Sequence, residues 1–136
     1  IETFPESVCF LKSLKRIAAR SNRLLELPAS IGQLEALESL DLKANRLTYL
    51  PASIGQLSML KLLDVSHNAC GDDCLEALAM SLASNTTLVK LAIDGYGASA
   101  SALKSVATAM ARNRSLLDVA LPERDAAAAA GDVAQK

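Results

Sequence analysis

His67, Cys70 and Cys74, with Asp72 and Asp73 between the cysteines, bring imidazole, thiol and carboxylate groups into one short stretch. Those are the donor types of a zinc site. His67 is also the only histidine and hence the natural general base. No nucleophile-elbow serine and no cysteine–histidine pair with an orienting residue accompanies it. A solvated loop histidine beside Asn68 is the simpler reading. Asn85-Thr86-Thr87 and Asn113-Arg114-Ser115 have the form of N-glycosylation acceptors. Gly95-Tyr96-Gly97 is glycine-rich but lacks the strand, helix and lysine that surround a phosphate loop.

The elements that would position these groups emerge when the chain is laid over itself with a shift of 23. Leu27-Pro28-Ala29-Ser30-Ile31-Gly32-Gln33-Leu34 returns as Leu50-Pro51-Ala52-Ser53-Ile54-Gly55-Gln56-Leu57, and Phe4 to Leu11 is a degraded earlier copy. Between the copies run Leu37, Leu40, Leu42, Asn45 and Leu47, preceded by Leu14, Ile17, Ala19, Asn22 and Leu24. Leu60, Leu63, Val65, Asn68 and Cys70 follow. The spacing then lengthens to 28, from Leu60 to Leu88 and from Leu88 to Leu116. The longer intervals carry Leu75, Leu78, Ala79, Leu82 and Leu103, Val106, Ala107, Met110, whose i, i+3, i+4, i+7 spacing is helical. In this frame Cys70 stands where Leu24 and Leu47 do, Cys9 where Gly32 and Gly55 do, and Cys74 opens an outer helix. Ordinary repeat positions thus account for all three cysteines. Both asparagine triplets fall at one repeat position, just before Leu88 and Leu116, and read as turn chemistry.

The series LxxLxLxxNxL resembles the leucine-rich repeat. Residues 4–57 resemble its 23-residue, Ras-suppressor-like class. Residues 60–121 resemble the 28-residue class of ribonuclease inhibitor, Ran GTPase-activating proteins and NOD-like receptors. The resemblance implies an α/β solenoid, a horseshoe arc with a short parallel sheet on the concave side and convex loops that give way to helices. Physically, one turn cannot bury its own leucines, and stacked turns make a continuous apolar column. The recurring asparagine is expected to satisfy backbone groups where the chain leaves each strand. Pro28 and Pro51 favour a compact return.

Composition agrees. Hydrophobic residues make up 51% of the chain but aromatic ones only 3%, as a regular, repeated core requires. A formal charge of −1 argues against direct nucleic-acid binding, which needs a dense basic face. No apolar run reaches the roughly 20 residues that span a bilayer. Three cysteines cannot form a complete disulfide framework, so reduced thiols in an intracellular, cytoplasmic setting are expected. The array is assigned to residues 1–121, beginning inside a repeat as part of a longer one. Residues 122–136 are read as a capping segment, with Asp125 before Ala126–Ala130, or as a tail.

Strand alternation places three columns of outward side chains on the concave sheet. The first is Arg16, Ser39, Leu62, Lys90 and Asp118; the second is Ala18, Asp41, Asp64, Ala92 and Ala120; the third is Arg20, Lys43, Ser66, Asp94 and Pro122. His67 and Tyr96 complete the candidate face, Tyr96 breaking the asparagine series between two glycines. Asp41 and Asp64 should be neighbours about 4.8 Å apart, a repulsion that Arg20, Lys43 or a partner's cation would relieve. The function expected is a non-catalytic module binding another protein, without cofactor or metal. An architectural role in a cytoskeletal or ribonucleoprotein assembly is the alternative. Small-GTPase regulation rests on the resemblance alone, since no arginine matches a catalytic finger residue by residue.

Overall fold

The computed structural model describes residues 2–69, 71–93 and 99–115, save the side chains of Leu82 and Ser84, and the backbone of 118–120. Five strands form one parallel sheet in chain order: β1 (Arg16–Ala18), β2 (Ser39–Asp41), β3 (Leu62–Asp64), β4 (Lys90–Ala92) and β5 (Asp118–Ala120). The register is continuous, with Arg16 beside Ser39, Ser39 beside Leu62, Leu62 beside Lys90 and Lys90 beside Asp118.

Two kinds of return connect the strands. The early turns use 3-10 helices at Glu6–Phe10, Ala29–Gln33 and Ala52–Gln56. Each begins directly after a proline, Pro5, Pro28 or Pro51, whose φ lies between −66° and −69°. The pyrrolidine ring fixes that angle and removes an N–H that would lack a partner at a helix start. The later turns use α1 (Asp72–Ser84) and α2 (Ala100–Arg112), each of 13 residues. Asp72 and Asp73 lie in the first turn of α1, favourable for the helix dipole. Ser99 caps α2, its Oγ accepting the Ala102 N–H at 3.2 Å. The same serine donates its N–H (2.9 Å) and its hydroxyl (2.7 Å) to the Asp72 carboxylate, tying the two helices together. These bonds hold the Asp72 carboxyl below the usual aspartate range.

The core is a column of aliphatic side chains between sheet and returns. Leu40, Leu63 and Leu91 stack in register and are buried, as are Leu24, Leu47, Leu34 and Leu57. Burying each such leucine contributes about 1.5–3 kcal/mol. At the edge the column opens: Leu11 is 53% exposed, whereas its copies Leu34 and Leu57 are fully covered. Gly32 marks a close approach between returns. A Cβ there would stand 2.7 Å from both the Ser53 carbonyl oxygen and Gln56 Oε1. Ser53 shows a lapse in the repeat. Ser30 Oγ donates to Glu6 Oε1 one turn earlier (3.3 Å), but Ala29 stands where Ser53 would need the same acceptor. Ser53 Oγ is buried without a hydrogen-bond partner.

The expected role of the asparagines is observed. Asn45 Nδ2 donates to the Ala19 and Leu42 carbonyls, both at 2.9 Å, and its Oδ1 accepts the Leu24 N–H at 3.1 Å. Asn68 repeats this with Leu42, Val65 and Leu47. The residue before each asparagine, Ser21, Ala44 and His67, has φ of 57°, 58° and 54°. A side chain in that left-handed region costs roughly 1–2 kcal/mol, and the asparagine bonds hold the chain there.

The triplets before Leu88 and Leu116 are built into turns. Asn85 Oδ1 accepts the Thr87 and Leu88 N–H groups, and Thr87 Oγ1 donates to the Leu60 carbonyl at 2.7 Å. Asn113 Nδ2 donates to the Asn85 carbonyl, and Ser115 Oγ to the Leu88 carbonyl at 2.8 Å. One expectation is corrected. Cys9 is a buried free thiol, but Cys74, buried at the start of α1, is disulfide-bonded. Three cysteines exclude a complete framework, not a single bridge. Cys70, four residues before Cys74 in sequence, lies outside the described residues, as does the segment 122–136. Among the described residues, no helix is long and apolar enough to cross a membrane.

Candidate functional site

Short strands impose the geometry of the concave face. With one aliphatic residue at the centre of each three-residue strand, the flanking residues alternate to the other face, and the parallel register aligns them into rows. Arg16, Ser39, Leu62 and Lys90 form the first row, and Asp41, Asp64 and Ala92 belong to the second. Between the rows lies a shallow depression of about 220 Å³ lined by these residues and floored by Leu40 and Leu63. Leu62, at its centre, is 43% exposed.

The rows differ in charge. Arg16 and Lys90 give the first row basic residues, with Asp118 beside Lys90 at its end, while Asp41 and Asp64 make the second acidic. Each aspartate first serves its own turn: Asp41 Oδ1 accepts the Lys43 N–H at 3.1 Å, and Asp64 Oδ1 the Ser66 N–H at 3.0 Å. This bond to the residue two positions on closes the turn that leaves the strand. Their second oxygens diverge. Arg20 Nε lies 2.7 Å from Asp41 Oδ2 in an ion pair, so an internal cation serves that carboxylate. Lys43 stands in the place of Arg20 one turn later, yet makes no ion pair with Asp64 among the described residues.

The third column holds less well. Ser66, expected to face outward, is buried, and its Oγ has no hydrogen-bond partner. His67 is exposed and occupies the left-handed turn position with φ 54°. Asp94 and Tyr96 lie outside the described residues, so the face is defined here by the first two rows and Arg20 and Lys43. Cys74 is taken up in its disulfide and is no thiolate ligand, and among the described residues no three His, Cys, Asp or Glu side chains gather as metal ligands would. Ala92, which the sequence placed in the second column, lies in register with Asp64 and lines the depression, but is itself buried.

A second hollow of about 340 Å³ lies on the convex side, where the last 3-10 return meets α1, lined by Leu50, Ala52, Gly55, Gln56, Ala77, Met80 and Ser81. Met80 is 74% exposed there.

Comparison with known proteins agrees with this architecture. Residues 12–69 match the family model described as leucine rich repeat. A leucine-rich-repeat protein of Leptospira interrogans superimposes with a TM-score of 0.73 at 26% identity, over 85% of this chain and 28% of that one. The leucine-rich-repeat ectodomain of the receptor kinase SOBIR1 from Arabidopsis thaliana gives a TM-score of 0.56 at 24% identity, over 85% of this chain and 66% of that one. The latter likeness is one of fold. The chain thus spans less than two thirds of the length of either protein. No curated protein matches the sequence.

Proposed function

We propose, from the premise that the chain is a leucine-rich-repeat protein, that its concave face binds another protein and performs no chemistry of its own. Such folds serve in general as protein-interaction modules; the choice of face rests on one observation. Leu62 is an exposed aliphatic side chain at the centre of the sheet, set in a depression and ringed by charges. Protein interfaces are built that way, with an apolar anchor inside a polar rim. A net charge of −1 favours a protein partner over a polyanion. Disulfides persist in oxidising compartments, so the bond at Cys74 removes the reduced-thiol argument for a cytoplasmic setting.

The test is affinity purification of the whole protein from its native cells in three forms. Ser39→Arg with Leu62→Arg fills the concave depression, and Met80→Arg marks the convex one. The concave variant is expected to lose a partner that the wild type and Met80→Arg both retain. The reverse pattern would favour the second reading, an architectural subunit held by its convex side, which the exposure of Met80 supports.

A further inference from the structure

We infer that the concave face receives an extended segment of its partner that sets an apolar side chain on Leu62 and an arginine or lysine on Asp64. The inference rests on the concave-face reading and specifies the partner's chemistry. Asp41 and Asp64 are repeat copies, adjacent in register and identically bonded to their own turns. Asp41 has its remaining oxygen neutralised by Arg20 at 2.7 Å. Asp64 has no such cation among the described residues, so one carboxylate oxygen is left to an incoming donor. A guanidinium or ammonium group is the donor type that forms the strongest hydrogen bond with it.

Leu62 fixes the second contact. Its register neighbours Ser39 and Lys90 are polar, and it is 43% exposed. Leu62 and Asp64 are two residues apart on β3, and hence on one face with backbones roughly 6.6 Å apart. That is also the distance between side chains i and i+2 of an extended segment. The order of the two contacts is set by Asp64, which draws the cation to its own row and leaves the exposed aliphatic Leu62 to the apolar side chain. The matching segment therefore has an aliphatic or aromatic residue and, two positions away, Arg or Lys.

The probe is a library of randomised heptapeptides displayed and selected on the purified protein. The expected result is enrichment of that pair at that spacing, with binding weakened by salt. Asp64→Asn keeps the acceptor for the Ser66 N–H and should lower affinity about tenfold while the unfolding midpoint stays unchanged. Selection on Asp64→Lys should replace the cationic residue by Asp or Glu. Enriched peptides that ignore Leu62→Ser and Asp64→Asn but are lost with Ser39→Arg would overturn this partner chemistry and leave the concave-face reading standing. Peptides indifferent to all three would sink both. A library that yields no enriched sequence also overturns the inference, because an extended segment is all that it requires.

Discussion

The turns up to Asn68 and those after Gly71 carry the same sheet but hold neighbouring turns together at opposite ends of the strand. In the early turns the polar link lies where the chain leaves the strand: Asn45 and Asn68 reach back to carbonyls and an N–H of the preceding turn. At strand entry Ala36 and Met59 stand where Thr87 and Ser115 do later, and the side-chain link there is an exposed one, from Lys12 Nζ to the Gln33 carbonyl at 3.0 Å. In the later turns the described link lies at strand entry, where Thr87 and Ser115 donate to Leu60 and Leu88 and Asn113 to Asn85. Helices replace 3-10 returns at the same boundary, and Asp72 and Ser99 add a tie between them. A thin return leaves little surface for packing, so a buried asparagine must hold the stack. A helical return packs broadly, and hydroxyls suffice at the seam.

This difference predicts a graded set of outcomes in chemical denaturation. Asn45→Ala strands buried backbone groups of two turns and should cost about 3 kcal/mol, since each unsatisfied buried group costs about 1–3 kcal/mol. Gly32→Ala follows. Its new methyl meets the Ser53 backbone carbonyl, which cannot swing aside as the exposed Gln56 side chain can, and a loss of about 2 kcal/mol is expected. Thr87→Val preserves shape but leaves the Leu60 carbonyl without its hydroxyl donor, for about 1 kcal/mol. A Thr87 loss equal to that of Asn45 would erase the contrast between the regions. The smallest effect has the opposite sign. Ala44→Gly relieves a left-handed residue at φ 58°, less the added freedom of the unfolded chain, for a gain of about 0.5 kcal/mol. A destabilised Ala44→Gly would mean that Ala44 contributes through its methyl rather than its conformation.

Much of this is legible in the sequence because the period is. The rows Arg16–Ser39–Leu62–Lys90 and Asp41–Asp64 follow from shifts of 23 and 28 residues and appear in the register as written. The use of Asn45 follows too, since an amide recurring at a strand exit needs a backbone partner. What the period hides is how copies diverge. Arg20 reaches Asp41 and Lys43 does not pair with Asp64, because planar guanidinium and flexible ammonium groups place their donors differently. Ser66 shares a column with Arg20 and Lys43 yet is buried. A short side chain at a strand exit does not extend over its neighbours as a long one does. The disulfide at Cys74 escaped a parity argument that speaks only to complete pairing.

The register across β3 and β4 has a consequence for how such a chain can change over generations. Leu62 stands beside Lys90 just as Ser39 stands beside Leu62, although one interval is 28 residues and the other 23. The sheet does not sense the length of the return behind it. Insertions and deletions on the convex side are therefore inherited without disturbing the rows in front. In-frame duplication of one turn lengthens the surface by a single strand spacing, about 4.8 Å. Recognition and architecture can then diversify separately: point substitutions alter what the face reads, and gain or loss of whole turns alters how much of it there is.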